Sequence, residues 1–109
     1  MFNNCTSLTS LDISVFKTNK AKDMSFMFSN CSSITNISIE IDTALVTTMQ
    51  SMFDSCTNLK YLDLTSFNTQ ACKKFTNMFA NTSNITVAVN SLHCSNMITE
   101  IEKYVNIAR

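Results

Sequence analysis

The side chains with the most chemistry are five cysteines, Cys5, Cys31, Cys56, Cys72 and Cys94, and a single histidine, His93. Thiols and an imidazole can hold a metal, form disulfides or build a nucleophile, and spacing decides among these. No Cys-x-x-Cys pair occurs, so the ligand spacing of a zinc site is missing. His93 and Cys94 are adjacent, and adjacent side chains of an extended segment point to opposite sides, which argues against a Cys–His dyad. Cys5, Cys31 and Cys56 recur at spacings of 26 and 25, and Thr82 holds the next slot. Threonine there suggests packing or a local hydrogen bond, so the three read as a buried ladder of reduced thiols. Disulfides stay open as the alternative, because neighbouring strands lie about 4.8 Å apart, within the Cα range of a bridge.

The other chemical readings are thin. There is no glycine, hence no glycine-rich phosphate loop. No paired acid and base recurs, so the expectation is a non-enzyme without cofactor or metal; an enzyme using His93 with a carboxylate or thiol is the remote alternative. Eight basic and eight acidic side chains cancel, and no basic stripe stands out along the chain, so no nucleic-acid partner is expected. No apolar run approaches a membrane span, and no signal peptide is visible. Asn-x-Ser/Thr sequons begin at Asn4, Asn30, Asn36, Asn81 and Asn84, and matter only on a glycosylating route.

The cysteine spacing belongs to a larger repeat. Met1-Phe2, Met27-Phe28, Met52-Phe53 and Met78-Phe79 start successive copies, a period that marks a repeat array. The copies lie near 1–26, 27–51, 52–77 and 78–90. In each, a short apolar–x–apolar run follows: Leu11-Asp12-Ile13, Ile37-Ser38-Ile39, Leu62-Asp63-Leu64 and Val87-Ala88-Val89. That is the period-2 pattern of a half-buried strand. Phe16, Ile41, Phe67 and Leu92 come next, and Thr18, Thr43 and Thr69 stand two residues after the first three. The period then changes. Ala21, Met24, Met27 and Phe28 lie at i, i+3, i+6 and i+7, as do Val46, Met49, Met52 and Phe53, and Cys72, Phe75, Met78 and Phe79. This predicts a helix of about two turns per copy, with the threonines as caps or turn starters. Cys72 shares its slot with Ala21 and Val46 and reads as a small core residue.

The expected class is therefore α/β: a right-handed solenoid of about four coils, with a parallel sheet on one face and short helices on the other. Residues 91–109 should close it with a capping helix, whose stripe is Met97, Ile98, Ile101, Tyr104, Val105 and Ala108 and whose polar face includes Thr99, Glu100, Glu102, Lys103, Asn106 and Arg109. With no glycine or proline, the turns fall to Asn, Asp, Ser and Thr. The chain begins inside a motif, so it reads as a fragment of a longer array with upstream repeats as neighbours. The strand register exposes Asp12, then Asn36, Ser38 and Glu40, then Tyr61 and Asp63. These six are the candidate binding residues for a protein or carbohydrate partner, with Tyr61 as anchor.

The pattern Met-Phe-x-x-Cys-x-x-Leu-x-x-Leu-Asp-Leu-x-x-Phe-x-Thr resembles the repeat of BspA-like leucine-rich-repeat surface proteins. Met52-Phe53, Cys56, Leu59, Leu62-Asp63-Leu64, Phe67 and Thr69 match it best. In the second copy Ser38 replaces the aspartate and Ile41 the phenylalanine. The resemblance covers roughly residues 1–90. It implies a leucine-rich-repeat-like fold, a place at the cell surface or outside the cell, and a part in adhesion. An intracellular scaffold that binds other proteins is the rival, favoured by cysteines that read as reduced.

Overall fold

The computed structural model describes residues 6, 10–12, 20–82 and 84–108, with the backbone alone at 10–12 and 38. The period-2 runs form strands β1 (Ser10–Asp12), β2 (Asn36–Ser38), β3 (Tyr61–Leu64) and β4 (Thr86–Val89). A fifth, β5 (Asn106–Ala108), joins them in a sheet ordered β1-β2-β3-β4-β5, with every pairing parallel. Leu11, Ile37, Leu62, Val87 and Ile107 are successive register partners. Leu62 and Leu64 point into the core, and Tyr61 and Asp63 point out. The class is α/β, with one α-helix, α1 (Ser95–Ile101), among the described residues.

The two-turn helices expected in each copy are not there. Residues 24–31, 49–56 and 75–82 are instead runs of overlapping tight turns. In the first run Met27 N–H bonds Met24 O, Ser29 bonds Phe26, and Cys31 bonds Phe28. The alternate donors leave the copy: Met24 N–H bonds Thr48 O, Phe26 bonds Gln50, Phe28 bonds Met52 and Asn30 bonds Asp54. Met49, Ser51, Phe53 and Ser55 do the same to Lys74, Thr76, Met78 and Ala80. A stretch this short is a poor helix alone. Its donors find partners in the next copy as well as within the turn, so nothing requires i to i−4 bonding. Phe26, Asn30, Ser51, Ser55, Asn77 and Asn81 have φ of 56–63°. Each that sits third in a bonded turn matches type II geometry and is incompatible with an α-helix. The apolar spacing predicted the buried side chains, Met24, Met27 and Phe28 among them, but a succession of turns buries the same positions.

Stacking builds columns in the core. The rings of Phe28 and Phe53 lie 5.4 Å apart, and those of Phe53 and Phe79 5.3 Å apart, nearly parallel. Thr43 and Thr69 are buried and start turns closed by Val46 and Cys72 N–H. Their hydroxyls work between copies rather than as helix caps. Thr43 Oγ1 donates to Asn68 O and accepts from Asn68 N–H, both at 2.9 Å. Leu92, expected beside Ile41 and Phe67, is 83% exposed. Cys94, two residues on, is buried and bonded to Phe67 O.

The C-terminal stretch also differs from a single long helix. Met97, Ile98 and Ile101 are the buried residues of α1, while Tyr104, Val105 and Ala108 lie beyond it. The chain turns back and Asn106 N–H donates to Ile85 O at 2.9 Å. The edge of β4 would otherwise offer unpaired backbone groups, and β5 pairs with them. Cys5, Phe16 and Thr18, and the side chain of Asp12, lie outside the described residues.

Candidate contact surface on the sheet face

Parallel register sets the outward side chains in rows. Asn36, Tyr61, Thr86 and Asn106 occupy one row across β2 to β5. Asp63, Ala88 and Ala108 occupy the next, and the backbone of Asp12 is in register with that of Ser38 at the other end of the sheet. Asn36 and Glu40 are exposed, and Tyr61 keeps 50% of its surface in contact with solvent. Tyr61 stands between Asn36 and Thr86, so its ring is the one large apolar group in that row.

Asp63 has a local task as well. Its Oδ1 accepts from Thr65 N–H at 2.9 Å and from Thr65 Oγ1 at 2.7 Å. This closes an Asx-type turn where β3 ends. Asp23 does the same for Ser25, Asp42 for Ala44 and Asn90 for Leu92. These turns are how a glycine-free chain makes its corners. The carboxylate of Asp63 is still solvent-exposed, but one of its oxygens is engaged.

The thiols are built for packing. Cys31, Cys56, Cys72 and Cys94 are buried and stand outside any disulfide. Cys56 Sγ donates to Phe28 O at 3.1 Å, and Cys94 Sγ to Phe67 O at 3.1 Å. Burial, then the neighbouring Cys31, pushes the Cys56 thiol up to about 12 from 9.0. Burial also raises Cys72 and Cys94. A thiol shifted in this way carries little thiolate, the reactive form, at physiological pH. His93 is exposed while Cys94 faces the core. Among the described residues no three His, Cys, Asp or Glu side chains gather as metal ligands, and no helix is long and apolar enough to cross a membrane. A crevice of about 110 Å³ between the last turn run and α1 is lined by Phe75, Met78, Ile101 and Tyr104, with Glu100 at its wall.

The sequence matches a family model, described as Mycoplasma protein of unknown function, DUF285, along residues 1–109. The chain belongs to DUF285. No curated protein and no solved structure gives a significant match. The function of this DUF285 chain therefore has to be argued from its own surface. Two features of that surface escaped the sequence reading. The first is the left-handed turn positions, signalled only by Asn30, Asn77 and Asn81, since asparagine tolerates that conformation. The second is a grouping of lysines from distant parts of the chain, which no linear motif announces.

Proposed function

We propose that this DUF285 chain is a non-catalytic interaction module that presents its sheet face to a protein or carbohydrate partner. In this reading the copies near 1–26, 27–51, 52–77 and 78–90 wind as about four coils of a solenoid within a longer array. The winding is right-handed, because parallel strands joined by a crossover take that hand almost without exception. The likeness of the repeat to BspA-like surface proteins favours adhesion as the use of the module. The observation that carries the reading is Tyr61, a half-exposed aromatic set among polar neighbours on a regular sheet. Such a ring is a natural contact anchor.

Beads coated with the protein and settled on cultured epithelial cells test this directly. The wild-type chain should hold beads against flow, and Tyr61→Ser should release them. Beads that never adhere would sink the adhesion reading, and equal adhesion by the variant would move the contact off the sheet. The rival, an intracellular scaffold, draws on the four buried thiols that stand outside any disulfide. Protease treatment of intact producing cells separates the two: loss of the chain from unbroken cells supports the surface, and its survival supports the scaffold.

A further inference from the structure

Four lysines from opposite halves of the sequence come together where the turn runs begin. Asp23 pairs with Thr48, and Thr48 with Lys74, in parallel bridges. Thr47 N–H donates to Lys22 O at 2.7 Å, and Lys73 N–H to Thr47 O at 3.0 Å. Lys22, Thr47 and Lys73 thus form one row, with about 4.8 Å per step, and Asp23, Thr48 and Lys74 the next. Two residues before the first row, the same register aligns Lys20, Leu45 and Ala71. The row between, Ala21, Val46 and Cys72, packs on the core, so the rows flanking it face outward together. Lys20, Lys22, Lys73 and Lys74 are all exposed. Three carboxylates border it: Asp23 and Asp42, each turned back on a backbone amide, and Glu100, which lines a crevice with Lys73. The patch is net positive on a chain whose net charge is zero.

Two large apolar side chains of the same stretches are also exposed. Leu45 lies beside Lys20 and is 50% exposed. Phe26, four residues past Lys22, is 45% exposed and has φ 60°. The equivalent positions hold Ser51 and Asn77. Asparagine suits that conformation and a bulky aromatic does not. Phe26 thus holds an exposed ring in a conformation that disfavours it, and such outliers point to use. Exposed ammonium groups together with an exposed ring and an aliphatic side chain match an acidic lipid surface, where headgroups attract the charges and the acyl boundary takes the apolar groups. A sulfated polysaccharide would reward the lysines but not Leu45 or Phe26.

We infer that this patch docks the chain peripherally on an anionic bilayer, with Lys20, Lys22, Lys73 and Lys74 on the headgroups and Phe26 and Leu45 in the interface. It shares no residue with the sheet face, so the two surfaces stand or fall separately. The test is co-sedimentation of the whole chain with vesicles of phosphatidylcholine alone or mixed with phosphatidylglycerol. Pelleting is expected with the mixed vesicles only, and should fall as salt screens the lysines. Lys73→Gln and Lys74→Gln should each weaken it about fivefold. Phe26→Asn should weaken it while the melting temperature holds or rises, because asparagine relieves the turn. Equal pelleting on neutral vesicles, no pelleting at all, or full binding by folded Phe26→Asn would overturn the inference. So would retention on heparin beads without vesicle binding, which would point to a polyanion in place of a membrane.

Discussion

Cys56 donates its thiol hydrogen to the carbonyl oxygen of Phe28, one copy earlier in the repeat, at 3.1 Å. The side chain of one motif thereby closes on the backbone of the one before it. This gives Cys56 a physical reason: the site takes a small, buried, weak donor, and a thiol supplies one at lower desolvation cost than a hydroxyl.

The same burial sets a pH dependence. Folded Cys56 holds its proton to about 12, while the unfolded thiol ionises around 9.0. Between those values the folded state binds more protons, so stability falls as pH rises. Its contribution is fully present below 9.0 and is lost as pH climbs towards about 12. Cys72 and Cys94 shift in the same direction. Urea midpoints should therefore decline above 9.0, and less steeply in Cys56→Ala. Iodoacetamide at neutral pH should label Cys31, Cys56, Cys72 and Cys94 slowly in the native chain and quickly in denaturant. Fast native labelling would contradict their burial.

The aromatic column makes a graded prediction. Phe53 is fully buried, with a ring stacked on each side, while Phe79 is 4% exposed and stacks on Phe53. Phe53→Ala should cost about 3–5 kcal/mol in chemical denaturation, and Phe79→Ala should cost less. Equal losses would mean that the stacking adds nothing beyond burial.

What the sequence disclosed follows from which interactions are local. Leu62-Asp63-Leu64 alternates in and out because a strand has period 2, and the pattern survives whatever the neighbours do. The exposure of Tyr61 came with it. The spacing of Met49, Met52 and Phe53 was also legible as burial, yet not as an element. A helix and a chain of tight turns bury the same positions, and the choice depends on carbonyls about 25 residues away. The engagement of Asp63 with Thr65 was within reach, since an aspartate followed two residues later by a hydroxyl is a turn signal. β5 was hidden because Tyr104, Val105 and Ala108 also fit the helical stripe that begins at Met97. Lys22 and Lys73 lie about half the chain apart, so only the register could place them in one row.

Backbone conformation in the turn runs can be read from the sign of a mutational effect. Asn77 has φ 58°. Asn77→Gly should be neutral or slightly stabilising, because glycine enters this region without a Cβ clash. Asn77→Val should cost about 1–2 kcal/mol. A helical position would give the reverse order, with glycine the worse residue by up to about 1 kcal/mol. Equilibrium unfolding of the two variants decides it. Far-ultraviolet circular dichroism should agree, showing only a weak helical signal from the seven residues of α1.

On the sheet face, Tyr61 and Asp63 should separate binding from stability. Tyr61 projects into solvent, so Tyr61→Ser should move stability by no more than about 0.5 kcal/mol while removing the proposed anchor. Asp63 Oδ1 accepts two hydrogen bonds from Thr65. Asp63→Ala removes both and should cost about 1–2 kcal/mol, lowering the melting temperature. Asp63→Asn keeps an acceptor oxygen and deletes the charge, so it should restore most of that stability. In bead adhesion, Tyr61→Ser should abolish attachment and Asp63→Asn should weaken it less, because one carboxylate oxygen is already directed at Thr65. If Asp63→Asn releases the beads as fully as Tyr61→Ser does, the partner reads the charge itself. The aspartate would then be a contact first and a turn residue second.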